Sequence, residues 1–120
     1  MLKRLLLLSF VLMLSGTVFA QPSTLATEFT YQGYLEANGI ATTAQCDMQF
    51  SLYDAPFAGK QIGSTQTVAG VAVSNGTFNV QLDFGVDAFD GEDHYLQIAV
   101  NCSRSGYVML TPRQPLTPVP

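Results

Sequence analysis

Residues 69–83 read AGVAVSNGTFNVQLD and carry the strongest local structural signal in the chain. Asn75-Gly76 lies between two runs in which apolar and polar residues alternate, which is typical of a two-residue hairpin turn. With these two residues as the loop, the register predicts four facing pairs: Ser74 with Thr77, Val73 with Phe78, Val71 with Val80 and Ala69 with Leu82. The apolar side chains then share one buried face, and Asn79, Gln81 and Asp83 lie on the solvent face.

The same two-residue period continues on both sides of this hairpin, and no stretch of the mature chain has a helical period. Further strands are predicted at residues 29–35, 48–52, 61–68, 94–102 and 107–111. The polar composition of residues 61–68 favours the edge of a sheet. Residues 103–106 join the last two strands as a second hairpin. About seven short strands predict an all-β fold, a small antiparallel β-sandwich.

The first twenty residues predict an export signal peptide. A basic start (KR at 3–4) precedes an apolar run over residues 5–14, and VFA at 18–20 supplies the small residues that a signal peptidase requires. We expect cleavage between Ala20 and Gln21. The apolar run is shorter than the roughly 20 residues of a membrane span, which disfavours a retained anchor. Gln21 is also not the cysteine that a lipoprotein anchor needs.

Cleavage leaves 100 residues, which is the size of one small domain. It removes two of the five basic residues and lowers the formal net charge from −4 to about −6. Binding to nucleic acid or to an acidic membrane requires clustered Lys and Arg, so neither is expected as a partner. The predicted organisation is a signal peptide (1–20), a flexible segment (21–28), a β-sandwich domain (29–111) and a proline-rich tail or linker (112–120).

Cys46 and Cys102 both remain after cleavage, and exported proteins fold where disulfides persist. Strand parity places Cys46 on the face of Phe50 and Cys102 on the face of Ile98, so both sulfurs are expected to point into the core. We therefore predict a Cys46–Cys102 disulfide, with two buried free thiols as the alternative. A metal site is disfavoured because no further His or Cys ligand lies nearby.

The sequence shows no set of catalytic residues and predicts a protein that is not an enzyme. His94 is the only histidine, and no Ser or Cys nucleophile is near it in sequence, so we predict a surface or strand-end position. The acidic stretch at residues 83–93 does not have the spacing of an EF-hand loop, and no metal or cofactor is predicted. Weak calcium candidates in this stretch are Asp83, Asp87, Asp90, Glu92 and Asp93.

Three tyrosines, Tyr34, Tyr53 and Tyr107, are predicted on solvent faces by strand parity. Rings on such faces can bind sugars, whereas isolated tyrosines on strands more commonly pack against residues of a neighbouring strand. A carbohydrate-binding or adhesive domain that acts alone is therefore the alternative function.

Six motifs follow one another along the chain: FTYQGYL (29–35), FSLYDA (50–55), NGTF (75–78), LDFG (82–85), YLQIAV (95–100) and LTPRQPLTP (110–118). In this order they resemble the N-terminal β-sandwich module of large secreted bacterial surface proteins. In those proteins repetitive or fibrous regions typically follow the module, sometimes with a tail-fibre-type intramolecular chaperone domain. The resemblance implies a structural or interaction module without established catalytic residues, located outside the cell, at its surface or in the periplasm.

Members of that group usually continue beyond the proline-rich segment, whereas this sequence stops at Pro120. Its closely spaced prolines favour an extended, semi-rigid connector. Either the gene is truncated, or the domain works alone with a stiff tail; the favoured hypothesis is a truncated or partial gene product. The reading frame beyond codon 120 tests it.

Overall fold

The computed structural model describes residues 27–116 except for the side chain of Phe89. This part of the chain contains eight β-strands and one 3₁₀ turn: β1 (Glu28–Tyr34), β2 (Glu36–Ala37), β3 (Ile40–Ala41), β4 (Ala44–Tyr53), β5 (Gln61–Val73), β6 (Thr77–Asp83), the turn (Val86–Phe89), β7 (His94–Asn101) and β8 (Val108–Leu116). None of the described residues belongs to a helix that is long and apolar enough to cross a membrane. The predicted signal peptide, its cleavage site between Ala20 and Gln21, and residues 117–120 lie outside the described residues.

All strand pairs are antiparallel, and they form two packed layers. The larger sheet has the order β5-β4-β7-β8, the second pairs β1 with β6, and β2 and β3 form a small hairpin. Tyr31 of β1 joins the layers, because its ring centroid lies 6.4 Å from Phe50 of the large sheet and 6.3 Å from Phe78 of β6. Alternating apolar residues of both sheets meet between the layers and form one core. The small all-β fold predicted from the alternation is confirmed.

The Asn75-Gly76 turn forms, but the predicted hairpin register holds only for its first pair, Ser74 with Thr77. Beyond that pair β5 is bonded to β4 and β6 is bonded to β1. The other predicted pairs, Val73 with Phe78, Val71 with Val80 and Ala69 with Leu82, are therefore wrong. The two strands separate into opposite layers over the same core, so their apolar residues are buried without facing each other in one sheet. Ala69 alone among these six is exposed.

β5 is one strand of 13 residues where two had been predicted, and it lies at a sheet edge as its polar composition indicated. Its register with β4 shifts twice, and Gly63 and Gly70, which lie in these shifts, have φ values of 71° and 65°. Glycine adopts this left-handed conformation without a steric penalty, which is why it occurs at β-bulges. The amide of Gly70 also donates to Asp47 Oδ1 at 2.9 Å.

β8 extends five residues further than the predicted end of the domain at Thr111. Residues 112–116 belong to the sheet and not to a linker that begins at Pro112. The prolines are tolerated because β8 is an edge strand, where a missing N–H need not interrupt a ladder on both sides. The register with β7 shifts between Leu96 and Ile98 to accommodate this segment.

Cys46 and Cys102 form a disulfide, as predicted. Their Cα atoms are 4.1 Å apart, and they are the chain neighbours of the facing pair Asp47 and Asn101 of β4 and β7. Cys46 is fully buried and Cys102 is partly buried against the core. The bond therefore links two neighbouring strands of the large sheet and does not connect that sheet to the β1-β6 sheet.

Candidate interaction surface

Arg113 of β8 is the most extensively bonded charged side chain that the structure describes. Its Nη1 donates to the carbonyl oxygens of Ala55 at 2.7 Å and Ala58 at 2.8 Å, and its Nε donates to Gln97 Oε1 at 3.2 Å. The guanidinium carbon lies 3.8 Å from the centroid of the Tyr53 ring, in cation–π geometry. This one residue connects β8, β7, the end of β4 and the loop that follows β4.

The β4–β5 loop (residues 54–60) closes on itself at its base. Asp54 N donates to Lys60 O at 3.1 Å, and Lys60 N donates to Asp54 Oδ1 at 2.8 Å. Gly59 has a φ of 79°, and a Cβ there would lie 2.6 Å from Asp54 Oδ1, so the position requires glycine. The closed loop presents Phe57 to solvent, with 81% of its surface exposed.

A surface groove of about 470 Å³ lies beside Phe57 and Arg113, with Gln97, Leu110 and Pro112 also in its wall. Three consecutive exposed residues, Tyr107, Val108 and Met109, directly precede Leu110. Tyr107 lies in the turn before β8, and Val108 and Met109 are the first two residues of β8. We call these three residues the β8 apolar patch. Exposed apolar residues on an edge strand are typical of a surface that pairs with another chain.

Four of the five calcium candidates, Asp87, Asp90, Glu92 and Asp93, line a second depression of about 500 Å³. Asp54, Lys60 and His94 also line it. No group of three or more His, Cys, Asp or Glu within residues 27–116 is arranged to hold a metal ion. The depression is therefore a mixed-charge surface in the structure.

Asp83, the fifth candidate, does not line this depression and is bonded at the end of β6. It accepts hydrogen bonds from Thr27 Oγ1 at 2.5 Å and from Gly85 N at 3.0 Å. The bond from Thr27 and then that from Gly85 lower the pKa of the exposed Asp83 carboxyl. Its backbone also exchanges two hydrogen bonds with the Gln66 side chain, which connects β6 to β5.

His94 begins β7, as predicted, but it is only 4% exposed, so a surface position is wrong. The reason is the extension of β8, because His94 faces Leu116 in the β7–β8 register. Its Nε2 lies 3.5 Å from Asp90 Oδ1.

The three tyrosines proposed as sugar platforms have different surroundings. Tyr34 is 59% exposed, and its ring lies against Gly76, where a Cβ would come within 2.4 Å of the ring. Tyr53 is half-buried, and Arg113 covers one face of its ring. Tyr107 is 42% exposed and belongs to the β8 apolar patch.

Residues 30–113 match the protein family described as "Domain of unknown function (DUF8740)". The chain belongs to this family. No curated protein and no solved structure shows a significant match to the chain. The DUF8740 match begins in β1 and includes the disulfide, the β4–β5 loop and the β8 apolar patch.

Arg113 is the last residue of the DUF8740 match, and sequence reasoning missed it by assigning it to the linker. One signal was available. Only three basic residues follow the predicted leader, and this one stands between Pro112 and Pro115 in an otherwise uncharged segment. A lone charge in such a segment indicates a specific partner, although the sequence does not identify it.

Proposed function

We propose that this DUF8740 protein is an exported, non-enzymatic structural or interaction module at the start of a secreted or surface fibrous protein. The observation that carries the proposal is the last edge strand. Its first two residues, Val108 and Met109, belong to the β8 apolar patch, and Arg113 bonds its second half to the folded domain. Apolar edge strands promote unwanted pairing, so an exposed one favours a surface that a partner covers.

The way the central strands are held also supports a structural role. The disulfide joins β4 and β7 just beyond the facing pair Asp47 and Asn101. At the other end of the same ladder Tyr53 faces Tyr95, and Arg113 lies over the Tyr53 ring. The central ladder is therefore fixed at both ends, covalently at one and by a cation at the other.

Export is tested by expressing the full chain with its leader in a bacterium that secretes proteins. The exported product should begin at Gln21 and contain no free thiol. Recovery of the protein only in the cytoplasm, with residues 1–20 still attached, would contradict export.

The interaction role is tested by chemical cross-linking in cells that secrete the protein. The double variant V108K/M109K places charges in the β8 apolar patch and should abolish specific cross-linked products. I40K is the matched control, because Ile40 is 72% exposed on the separate β2–β3 hairpin. Both variants must retain the disulfide and the β-sheet circular dichroism of the wild type.

Equal cross-linking by the wild type, V108K/M109K and I40K would show that the patch is not the contact surface. A glycan array with the oxidised domain separates the alternative function. Saturable binding to a glycan would support a carbohydrate-binding domain over the structural module.

A further inference from the structure

Two Asn-Gly dipeptides occur in turns of this protein, Asn38-Gly39 and Asn75-Gly76. The two dipeptides are chemically identical, but their surroundings differ. We propose that Asn38 is a site of spontaneous deamidation and isoaspartate formation, whereas the fold protects Asn75 from the same reaction.

The reaction needs only water. The backbone nitrogen of the glycine attacks Cγ of the preceding asparagine and loses its proton, the bond from Cγ to the side-chain nitrogen breaks, and ammonia leaves. The resulting succinimide is opened by water at either carbonyl, which gives aspartate or isoaspartate. Both products carry one more negative charge than asparagine. A glycine amide that is free and able to approach Cγ is therefore the structural requirement.

In the Asn75-Gly76 turn the glycine amide already donates a hydrogen bond. Gly76 N donates to the carbonyl oxygen of Thr42 at 2.7 Å, and Asn75 N donates to Thr43 Oγ1 at 3.0 Å. Gly76 is itself buried, with the ring of Tyr34 packed on its Cα. Attack by Gly76 N requires these contacts to break first, which lowers the population of reactive conformers.

In the Asn38-Gly39 turn no such hydrogen bond or ring contact holds the glycine among the residues that the structure describes. Asn38 and Gly39 are exposed, and no heavy atom beyond the chain neighbours lies within 4 Å of a Cβ placed on Gly39. Among residues 27–116 no hydrogen-bond acceptor contacts the Gly39 amide. The hairpin around it has two facing pairs, from β2 and β3, and one further backbone bond at its base, from Thr42 N to Leu35 O at 3.1 Å. So short a ladder opens at low cost.

The test incubates the purified, oxidised protein in mildly alkaline buffer and measures conversion at each site by peptide mapping with isoaspartate detection. After the Cys46–Cys102 disulfide is reduced, trypsin places the two sites on separate peptides, because Lys60 lies between them. In the folded protein Asn38 should convert at least roughly tenfold faster than Asn75, which corresponds to about 1.4 kcal/mol of local opening. A parallel sample, reduced and unfolded in urea, should convert both sites at similar rates.

Equal rates at the two sites in the folded protein would overturn the proposal. Conversion of neither site in the folded protein, with both converting in urea, would overturn it as well. The variant Asn38→Gln verifies the assignment, since the larger ring that glutamine must form closes slowly and the early product should disappear.

Discussion

Replacing Arg113 with alanine should lower the free energy of unfolding by about 2–3 kcal/mol. Hydrogen bonds from a charged donor to the carbonyls of Ala55 and Ala58 contribute about 1.5 kcal/mol each at the low end of their range. Stacking on Tyr53 adds roughly 0.5 kcal/mol. The expected loss is smaller than the sum of these contributions, because Arg113 is only partly buried and water can bind the carbonyls of the exposed loop after the substitution.

Thermal unfolding of the oxidised domain measures this loss. In a domain of this size 1 kcal/mol corresponds to about 4–8 °C, so the Tm of R113A should fall by roughly 10–20 °C. R113K should lose about half as much, because an ammonium keeps the charge and can bond a carbonyl but lacks the Nε donor to Gln97 and the planar group that stacks on Tyr53. R104A is the matched control: Arg104 is an exposed arginine in the 103–106 turn, and its loss should change stability by less than about 0.5 kcal/mol.

Equal Tm values for R113A and R104A would refute this reasoning. Hydrogen exchange supplies a second, local test. Lys60 N bonds to Asp54 within the loop that Arg113 holds, so its exchange should accelerate in R113A and not in R104A. A lower Tm without faster exchange at Lys60 would place the lost energy outside the β4–β5 loop.

Three further predictions concern the core and its cross-link. Replacing Cys46 and Cys102 together with alanine should cost up to about 4 kcal/mol in the chain-entropy model, since the bond closes a separation of 56 residues; an unchanged urea midpoint would contradict this. Gly33→Ala places a Cβ 2.3 Å from Cζ of Phe78, whose ring is only 2% exposed. Shifting this ring should lower the free energy of unfolding by about 1–3 kcal/mol, as measured by calorimetry. Wild-type stability of G33A would contradict the close contact between Gly33 and Phe78. Burial raises the pKa of Tyr31, so the phenol stays neutral in the folded protein to a higher pH than in the unfolded chain. The free energy of unfolding should therefore fall as pH rises above about 10 and through the raised pKa. In urea unfolding Y31F should lose less stability over this pH range than the wild type, and identical pH profiles would contradict the prediction.

Local alternation predicted which residues of the central hairpin are buried but not which strands they join. Val71 and Phe78 are both in the core as expected, because a two-residue period depends only on the backbone of one strand. Their partners, Cys46 and Gly33, lie far away in sequence. Pairing between distant strands depends on the whole sheet, so the turn at Asn75-Gly76 could not determine it.

The disulfide was predictable because two independent arguments, parity and export, agreed on Cys46 and Cys102. The Arg113 contacts were not, because they join residues 58 and 55 positions apart and depend on the carbonyl directions of a loop. The burial of His94 was missed for a related reason. It depends on the extension of β8 through two prolines to Leu116, which local propensity disfavours.

The Cys46–Cys102 bond determines which fragments a protease can release from the protein. A cut at Lys60, or in the connection between β6 and β7, falls inside the covalent ring, so both fragments remain joined and migrate together until they are reduced. A cut at Arg104 falls outside the ring and leaves β8 held only by non-covalent contacts: its hydrogen bonds to β7, the bonds of Arg113, and the packing of Leu110 and Leu116 against the core. The 103–106 turn is therefore the place where a single cleavage could release the strand that carries Val108 and Met109, while the rest of the large sheet stays covalently joined.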